Sequence, residues 1–127
     1  MKPINLVTGI AMLAALGAGL PQEVKAADLY GALAYSQRTT SYGWAKDFNT
    51  RRAAEKAALR RCRERASDCR VAIWFRNACG ALAVGGDGGW GSDWGVNLRA
   101  AQNKALHVCS GYSYNCRIVV AQCVGRY

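Results

Sequence analysis

The sequence feature that most constrains the fold is an internal repeat that carries cysteines. Residues 52–69 read RAAEKAALRRCRERASDC, and residues 99–116 read RAAQNKALHVCSGYSYNC, with arginine, alanines, leucine and both cysteines at the same spacing. Upstream, the tetrapeptide GALA at residues 31–34 returns at residues 80–83. Because the match extends over most of the chain, we predict a tandem duplication, with one repeat at about 28–79 and the other at about 80–123.

Each repeat has the pattern of two short strands, a helix and a further strand. Residues 28–35 and 42–46 are rich in apolar and aromatic residues and predict strands. Thr50 is a good helix N-cap, and RRAAEKAALRRC follows without glycine or proline, which predicts a helix from about Thr50 to Cys62. The expected fold class is α+β, with two helices packed on an antiparallel sheet, related by a pseudo-twofold axis and stapled by disulfides.

The N-terminal residues have the pattern of a secretory signal peptide. Lys2 precedes an apolar run from Ile4 to Leu20, and a small residue, Ala26, ends the segment. We predict a signal peptide over residues 1–26, cleavage after Ala26, and a mature single domain of residues 27–127 without a transmembrane anchor. An uncleaved membrane anchor is the alternative, but the run is at the short limit for spanning a bilayer. The expected localisation is the periplasm or the medium.

All six cysteines lie in the predicted mature part, which favours a disulfide framework for a small exported domain. Preserving the pairing under exchange of the repeats leaves fewer than half of the 15 possible pairings. The six residues between the cysteines of each repeated pair allow the two to meet. We predict Cys62–Cys69, Cys109–Cys116 and, as a link between the halves, Cys79–Cys123. A zinc site is disfavoured because the chain has one histidine, His107.

The chain is strongly basic, with a formal net charge of +9. Such a charge attracts anionic partners, including lipid head groups, cell-wall polymers, nucleic acid and acidic proteins, without choosing among them. No nucleic-acid-binding motif accompanies it. The alternative is that the arginines form a solvated helix face that serves solubility.

We find no catalytic signature and expect a protein that is not an enzyme. His107 aligns with Arg60 of the first repeat, a surface position, and no nucleophile is placed beside it by the sequence pattern. The acidic residues are scattered, so a hydrolase built from them is a less favoured alternative. We expect no cofactor and no metal; Asp87 and Asp93 lack the ligand series of a calcium loop.

The stretch GGDGGWGSDWG, at residues 85–95, is the most function-like feature. Its glycine content predicts a tight or mobile loop. Trp90 and Trp94 within it are expected either to offer stacking surfaces to a sugar or base, or to fold back and cap the small core. The candidate binding residues combine this loop with basic positions of the first helix: Trp90, Trp94, Asp87, Asp93, Arg60, Arg61 and Arg63.

The segments YGALAYS, CRVAIWFRNACGALAV and GGWGSDWG resemble the bacterial domain-of-unknown-function 4189 family of small exported proteins and modules. The resemblance spans Leu29 to Cys123, and NACGALAV at residues 77–84 carries it most specifically. It implies an exported domain and no mechanism.

The leading hypothesis is therefore an exported, monomeric, non-enzymatic binding module for an anionic or polymeric partner in the cell envelope. The alternative is an inhibitor or effector that acts on another protein, because a disulfide-bonded scaffold that presents a pre-ordered surface lowers the cost of binding.

Overall fold

The computed structural model describes residues 27–125, so the predicted signal peptide and its cleavage site lie outside the described residues. Within this part of the chain, two helices and six strands follow one another in the order β1, β2, α1, β3, β4, β5, α2, β6. Their bounds are β1 Tyr30–Tyr35, β2 Tyr42–Phe48, α1 Arg51–Arg63, β3 Arg70–Arg76, β4 Cys79–Val84, β5 Trp90–Gly95, α2 Leu98–Ser110 and β6 Arg117–Cys123.

Both helices begin at a capping side chain. Thr50 accepts a hydrogen bond from the backbone N–H of Ala53 at 3.1 Å before α1, and Asn97 accepts one from Ala100 at 2.8 Å before α2. Each cap satisfies one of the backbone donors that a helix leaves unpaired at its start. The predicted helix from Thr50 to Cys62 is thus confirmed to within one residue at each end.

The strands form two antiparallel sheets of three strands, where the sequence had led us to expect one. The first sheet has the order β2-β1-β3 and the second has the order β5-β4-β6. The chain crosses from one sheet to the other between β3 and β4 at Asn77, whose φ of 50° lies in the left-handed region that asparagine tolerates. An α+β fold with two helices on two small sheets results.

Alternating side chains sort the molecule into layers. In β1, Ala32 and Ala34 pack under α1, whereas Leu33 and Tyr35 point between the sheets. The same alternation in β4 directs its alanines to α2 and its larger residues to the core between the sheets. Small residues beneath each helix let it lie close to its sheet, and the layers run α1, first sheet, second sheet, α2.

Phe75 fills the centre of the space between the sheets. Its ring occupies the volume that a Cβ atom would need at both Gly31 and Gly80, the glycines that begin the two GALA segments. Register pairs Gly31 with Phe75 in the first sheet and Gly80 with Gln122 in the second. One large ring, supplied by the first sheet alone, therefore packs against the glycines of both sheets.

The three predicted cysteine pairs are joined in the structure. Cys62–Cys69 and Cys109–Cys116 each close the turn after a helix, with Cα–Cα distances of 6.0 and 6.2 Å. We had expected the third bond, Cys79–Cys123, to link the two halves, but it lies within the second half. Its cysteines are register partners on β4 and β6 of the second sheet.

The prediction of a loop across residues 85–95 is correct only for its first part. Residues 85–89 form a turn, but Trp90–Gly95 is strand β5, paired with β4 along its length. The two glycines of this strand face α2: a Cβ atom at Gly91 would meet the backbone of Cys109, and one at Gly95 would meet the backbone of Ala101. These glycines permit the close approach of a helix, so they do not indicate a mobile segment.

Candidate functional site

Four basic side chains form a continuous strip on the outer face of α1. Arg52, Lys56, Arg60 and Arg63, here called the α1 basic surface, follow one another at spacings of four, four and three residues, which align them on one side of a helix. All four are exposed. The opposite side of α1 is buried by its alanines and Cys62, so this helix presents its charge outward.

The side chains of the α1 basic surface form no ion pairs with acids among the described residues. Within residues 27–125, the ion pairs are formed by Arg38, Arg51, Arg76 and Lys104, and by none of the four residues of the strip. Like charges at a spacing of four residues repel each other. The strip therefore disfavours the isolated helix and favours an anionic partner.

The matching face of α2 is nearly neutral. The positions that correspond in the repeated sequence are Arg99, Asn103, His107 and Ser110. The two helices share buried alanines and cysteines and differ on their outer faces. The fold therefore does not require the charge of the α1 basic surface, because α2 packs in the same way without it.

Arg61, also a predicted binding residue, has a structural contact. Its guanidinium donates a hydrogen bond to the carbonyl oxygen of Trp44 and lies 5.6 Å from the centroid of that indole ring. The contact ties α1 to strand β2. Arg60 and Arg63 of the predicted set belong to the α1 basic surface, whereas Arg61 turns toward the sheet.

Trp94 lies apart from the α1 basic surface, at the edge of the second sheet. Its side chain is 46% exposed, and the ammonium group of Lys104 lies 4.8 Å from its ring centroid. Asp93 pairs with the same lysine at 3.9 Å. With β3 residues including Trp74 and Arg76, Trp94 lines a cleft of about 360 Å³.

Trp90 is half-buried and caps the core between the sheets. Its ring meets the ring of Tyr35 edge-on at 5.7 Å. Clefts of about 570 and 350 Å³ adjoin it, and Gln37 and Trp90 line both. We call these two neighbouring clefts the Trp90 groove. Its further lining residues are Ala72, Asp87, Gly89, Gly91, Ser92, Val108 and Tyr112 in the larger cleft and Tyr35, Asp68, Arg70 and Val71 in the smaller.

Asp87 and Asp68 each fasten two loops together through a serine. Ser113, after α2, donates a hydrogen bond to Asp87, which follows β4. Ser36, after β1, donates one to Asp68, which follows α1. These hydrogen bonds are the main reason that the pKa of each carboxyl lies below its usual range. The two halves thus use the same Asp–Ser contact with the partners exchanged.

Tyr35, which lines the smaller cleft of the Trp90 groove, has a buried hydroxyl group. Its side chain is 3% exposed, and among the described residues its hydroxyl is the one buried side-chain polar atom with no hydrogen-bond partner. Burial raises the pKa of this hydroxyl, so it remains a protonated donor at neutral pH.

The predicted site residues therefore fall into separate places. Trp90 and Asp87 line one groove, Trp94 and Asp93 lie near Lys104, and two arginines lie on the outer face of α1. Lys56 was not predicted, although its spacing of four residues from both Arg52 and Arg60 identifies it as part of the same helix face. Tyr35 and Gln37, which line the Trp90 groove, were not predicted either, because the sequence carries no signal that brings them there.

Comparison with known proteins identifies the family. The family model described as "Domain of unknown function (DUF4189)" matches residues 30–123. The chain belongs to the DUF4189 family. The match takes in every strand and helix described above, so the family resemblance first noted from the repeated and glycine-rich segments is confirmed.

Relatives of this DUF4189 protein include Protein Rv1269c from Mycobacterium tuberculosis and Protein Mb1300c from Mycobacterium bovis. Each is 43% identical over 86 residues, which is 68% of this chain and 65% of the relative. The chain thus spans just under two thirds of the length of these relatives. The NMR structure of Rv1813c from Mycobacterium tuberculosis is similar, with a TM-score of 0.57 and 30% identity over 83% of this chain and 81% of that one.

Proposed function

We propose that this DUF4189 protein is an exported, non-enzymatic binding module that engages an anionic polymer of the cell envelope. The observation that carries the proposal is the α1 basic surface: four exposed basic side chains in one line, without acidic partners among residues 27–125, on a helix whose counterpart in the second half is nearly neutral.

Simple electrostatics supports a polymer as the partner. A single exposed ion pair is worth about 0–1 kcal/mol, so one small anion would be held weakly. A chain with repeated negative charges can pair with all four side chains at once, and each further contact is made without a new cost of association. The four side chains lie in a single line along a helix of thirteen residues, and this shape suits a linear partner.

Export is part of the proposal. The three disulfides fit an oxidising compartment. Within residues 27–125, the helices are too short and too polar to cross a bilayer. Together with the sequence of residues 1–26, the disulfides lead us to propose cleavage after Ala26 and a monomer that acts in the periplasm or the medium.

The binding test uses dextran sulfate and purified cell wall as probes, with affinity measured over a series of salt concentrations. Replacing Arg52, Arg60 and Arg63 by glutamine should weaken binding by on the order of tenfold at low salt, because three contacts of the α1 basic surface are lost. Wild-type affinity should fall steeply as salt rises.

A matched control removes the same charge elsewhere. The triple replacement of Arg38, Arg99 and Arg117 by glutamine leaves the α1 basic surface intact and should bind nearly as well as the wild type. Equal weakening in both variants would mean that net charge alone drives binding, and the proposed role of α1 would then be rejected. Binding that resists salt would also reject it.

A second candidate function is contact with another protein, and an exposed apolar patch favours it. Trp94, Val96 and Leu98 follow one another at alternate positions where β5 leads into α2, with exposed fractions of 46%, 70% and 44%. Apolar side chains clustered on a surface often mark protein contacts. Replacing Val96 and Leu98 by serine should abolish such binding while leaving binding to dextran sulfate unchanged.

We also propose that the two halves arose by duplication, with repeats of about 28–79 and 80–123 forming one domain. The repeated sequence supports this origin, and so does the element order of strand, strand, helix and strand in each half. The boundary is better set before Cys79, because this residue begins β4 of the second sheet.

A further inference from the structure

Strand β3 is an edge strand whose outer side is open. Within residues 27–125, it pairs with β1 and with no other strand. In an antiparallel pair, the N–H and C=O groups of every second residue point away from the partner strand. The Ser92 hydroxyl of β5 donates a hydrogen bond to the carbonyl oxygen of Ala72, at 2.8 Å. Beyond that point, among the described residues, β1 alone forms hydrogen bonds with the backbone of Ile73–Arg76, so its outward groups can pair with a further strand.

A cleft of about 360 Å³ runs along this open edge. Its lining consists of the four consecutive residues Ile73–Arg76 and of Trp94 from β5. Phe75 packs between the sheets, whereas Trp74 packs on the side of α1. Because these two side chains lie on opposite faces of the sheet, a cleft that both of them line follows the backbone edge between the faces. The exposed indole of Trp94 provides an apolar wall beside that edge.

Strand β6 corresponds to β3 in the repeated sequence and is also an edge strand. Ala121 and Cys123 of β6 stand at the positions that Trp74 and Arg76 have in β3. The edge of β6 therefore has neither the indole nor the second arginine of β3. This difference makes β6 an internal control for the open edge of β3.

The charges at the two ends of β3 select the strand that can be added. Arg70 and Arg76 are both exposed there. Among residues 27–125, Arg70 forms no ion pair, and Arg76 forms one long contact with Asp28, at 4.0 Å. If two copies of the chain paired antiparallel about Ile73, Arg70 of each copy would face Arg76 of the other, and like charges that face each other destabilise a strand pair. A strand with an acidic residue at each end pairs with both arginines instead.

We propose that the outer edge of β3 binds an extended segment of another protein, with an apolar centre and an acidic residue at each end. The backbone of this segment pairs with Ile73–Arg76, an apolar side chain packs on Trp94, and the two acids lie near Arg70 and Arg76. The site uses neither the α1 basic surface nor the exposed Val96 and Leu98. Its failure would therefore leave both functions proposed above unaffected.

The test titrates the isotope-labelled protein with a blocked seven-residue peptide that has glutamate at both ends and alternating valine and threonine between them. The amide signals of Ile73–Arg76 and the indole signal of Trp94 should shift, whereas the signals of β6 should not. Because an exposed ion pair is worth about 0–1 kcal/mol, replacing Arg70 and Arg76 by glutamine should weaken binding roughly three- to tenfold. Arg117→Gln, at the position of β6 that corresponds to Arg70, is the matched control and should leave the affinity unchanged.

Changes in the peptide test strand pairing without altering the protein. N-methyl groups on the valines remove the backbone donors of one edge of the extended peptide, and N-methyl groups on the threonines remove those of the other. At least one of these two peptides should lose binding, because one edge faces β3. A peptide with lysine at both ends should bind more weakly than the glutamate peptide.

Four results would overturn the proposal. The first is that the glutamate peptide does not bind, or shifts β6 rather than β3. The second is that both methylated peptides bind as well as their parent, and the third is that the lysine peptide binds equally well. The fourth is that sedimentation shows a dimer of the free protein that the glutamate peptide does not dissociate, since a second copy would then cover the edge.

Discussion

The two halves of the molecule pack in the same way but have different surfaces. The first half consists of α1 and the β2-β1-β3 sheet, and the second consists of α2 and the β5-β4-β6 sheet. Both place alanines under a helix and close the helix with a disulfide. The halves differ where Phe75, the Cys79–Cys123 bond and the α1 basic surface occur in one of them only. Shared residues therefore maintain the packing of each helix on its sheet. Residues found in one half only either add contacts of that half, as Phe75 does, or form the α1 basic surface, to which we assign a partner by proposal.

The largest expected loss of stability concerns the contact between the sheets, to which only the first half contributes a large ring. Phe75→Ala should lower the free energy of unfolding by about 3–5 kcal/mol, because it removes the ring that packs on the glycines of both sheets. Its counterpart by register, Gln122, is only partly buried, and Gln122→Ala should cost less than about 1 kcal/mol. Urea denaturation measures both, and equal losses would contradict the role given to Phe75.

The next effect concerns the disulfide present in one sheet only. Replacing Cys79 and Cys123 together by alanine should cost about 2–4 kcal/mol, since the bond closes a sequence separation of 44 residues. Register places Tyr30 opposite Arg76 at the corresponding end of the first sheet. Amide hydrogen exchange should show faster opening of β4 and β6 than of β1 and β3 in this variant; uniform acceleration would mean that the sheets do not open separately.

A smaller effect should be equal in the two halves. A Cβ atom at Gly43 would meet the backbone of α1 at Ala58 and Cys62, and one at Gly91 would meet the backbone of α2 at Cys109. Gly43→Ala and Gly91→Ala should each lower stability by about 1–3 kcal/mol through overpacking. Thermal denaturation of the two variants compares them, and a neutral result for either would show that its helix can shift without cost.

The smallest effect is the pH dependence of the paired Asp–Ser contacts. Because Ser113 holds the pKa of Asp87 below its unfolded value, the contact stabilises the protein above that unfolded pKa, and this contribution is lost as the pH falls through the folded pKa. Asp68 with Ser36 should behave alike. Ser113→Ala and Ser36→Ala should therefore each reduce the loss of stability below about pH 4. Unfolding curves at a series of pH values test this, and an unchanged acid transition in both variants would contradict it.

Local sequence signals predicted what depends on neighbours in the chain. The Thr50 cap, the helix after it and the cysteine pairs at the ends of the helices follow from spacing within a few residues. Tertiary causes were not visible. Gly91 weakens a strand by propensity, and only the presence of α2 above it explains why a glycine is needed in β5.

The sequence did contain evidence against assigning Cys79 to the first half. Cys62 and Cys109 have the same separation as Cys69 and Cys116, but Cys79 and Cys123 are 44 residues apart and so do not correspond in the repeat. Part of the candidate site could be predicted from spacing along the chain, as the helices could. Helical spacing relates the charges of the α1 basic surface, whereas the Trp90 groove combines residues distant in sequence.

The most direct test of a partner-binding surface confined to one half is an NMR titration of the isotope-labelled protein with dextran sulfate. We expect strong shifts of the backbone and side-chain signals of the α1 basic surface, little shift at the corresponding positions of α2, and reversal of the shifts by added salt. Equal shifts on both helices, or shifts centred on α2, would contradict it.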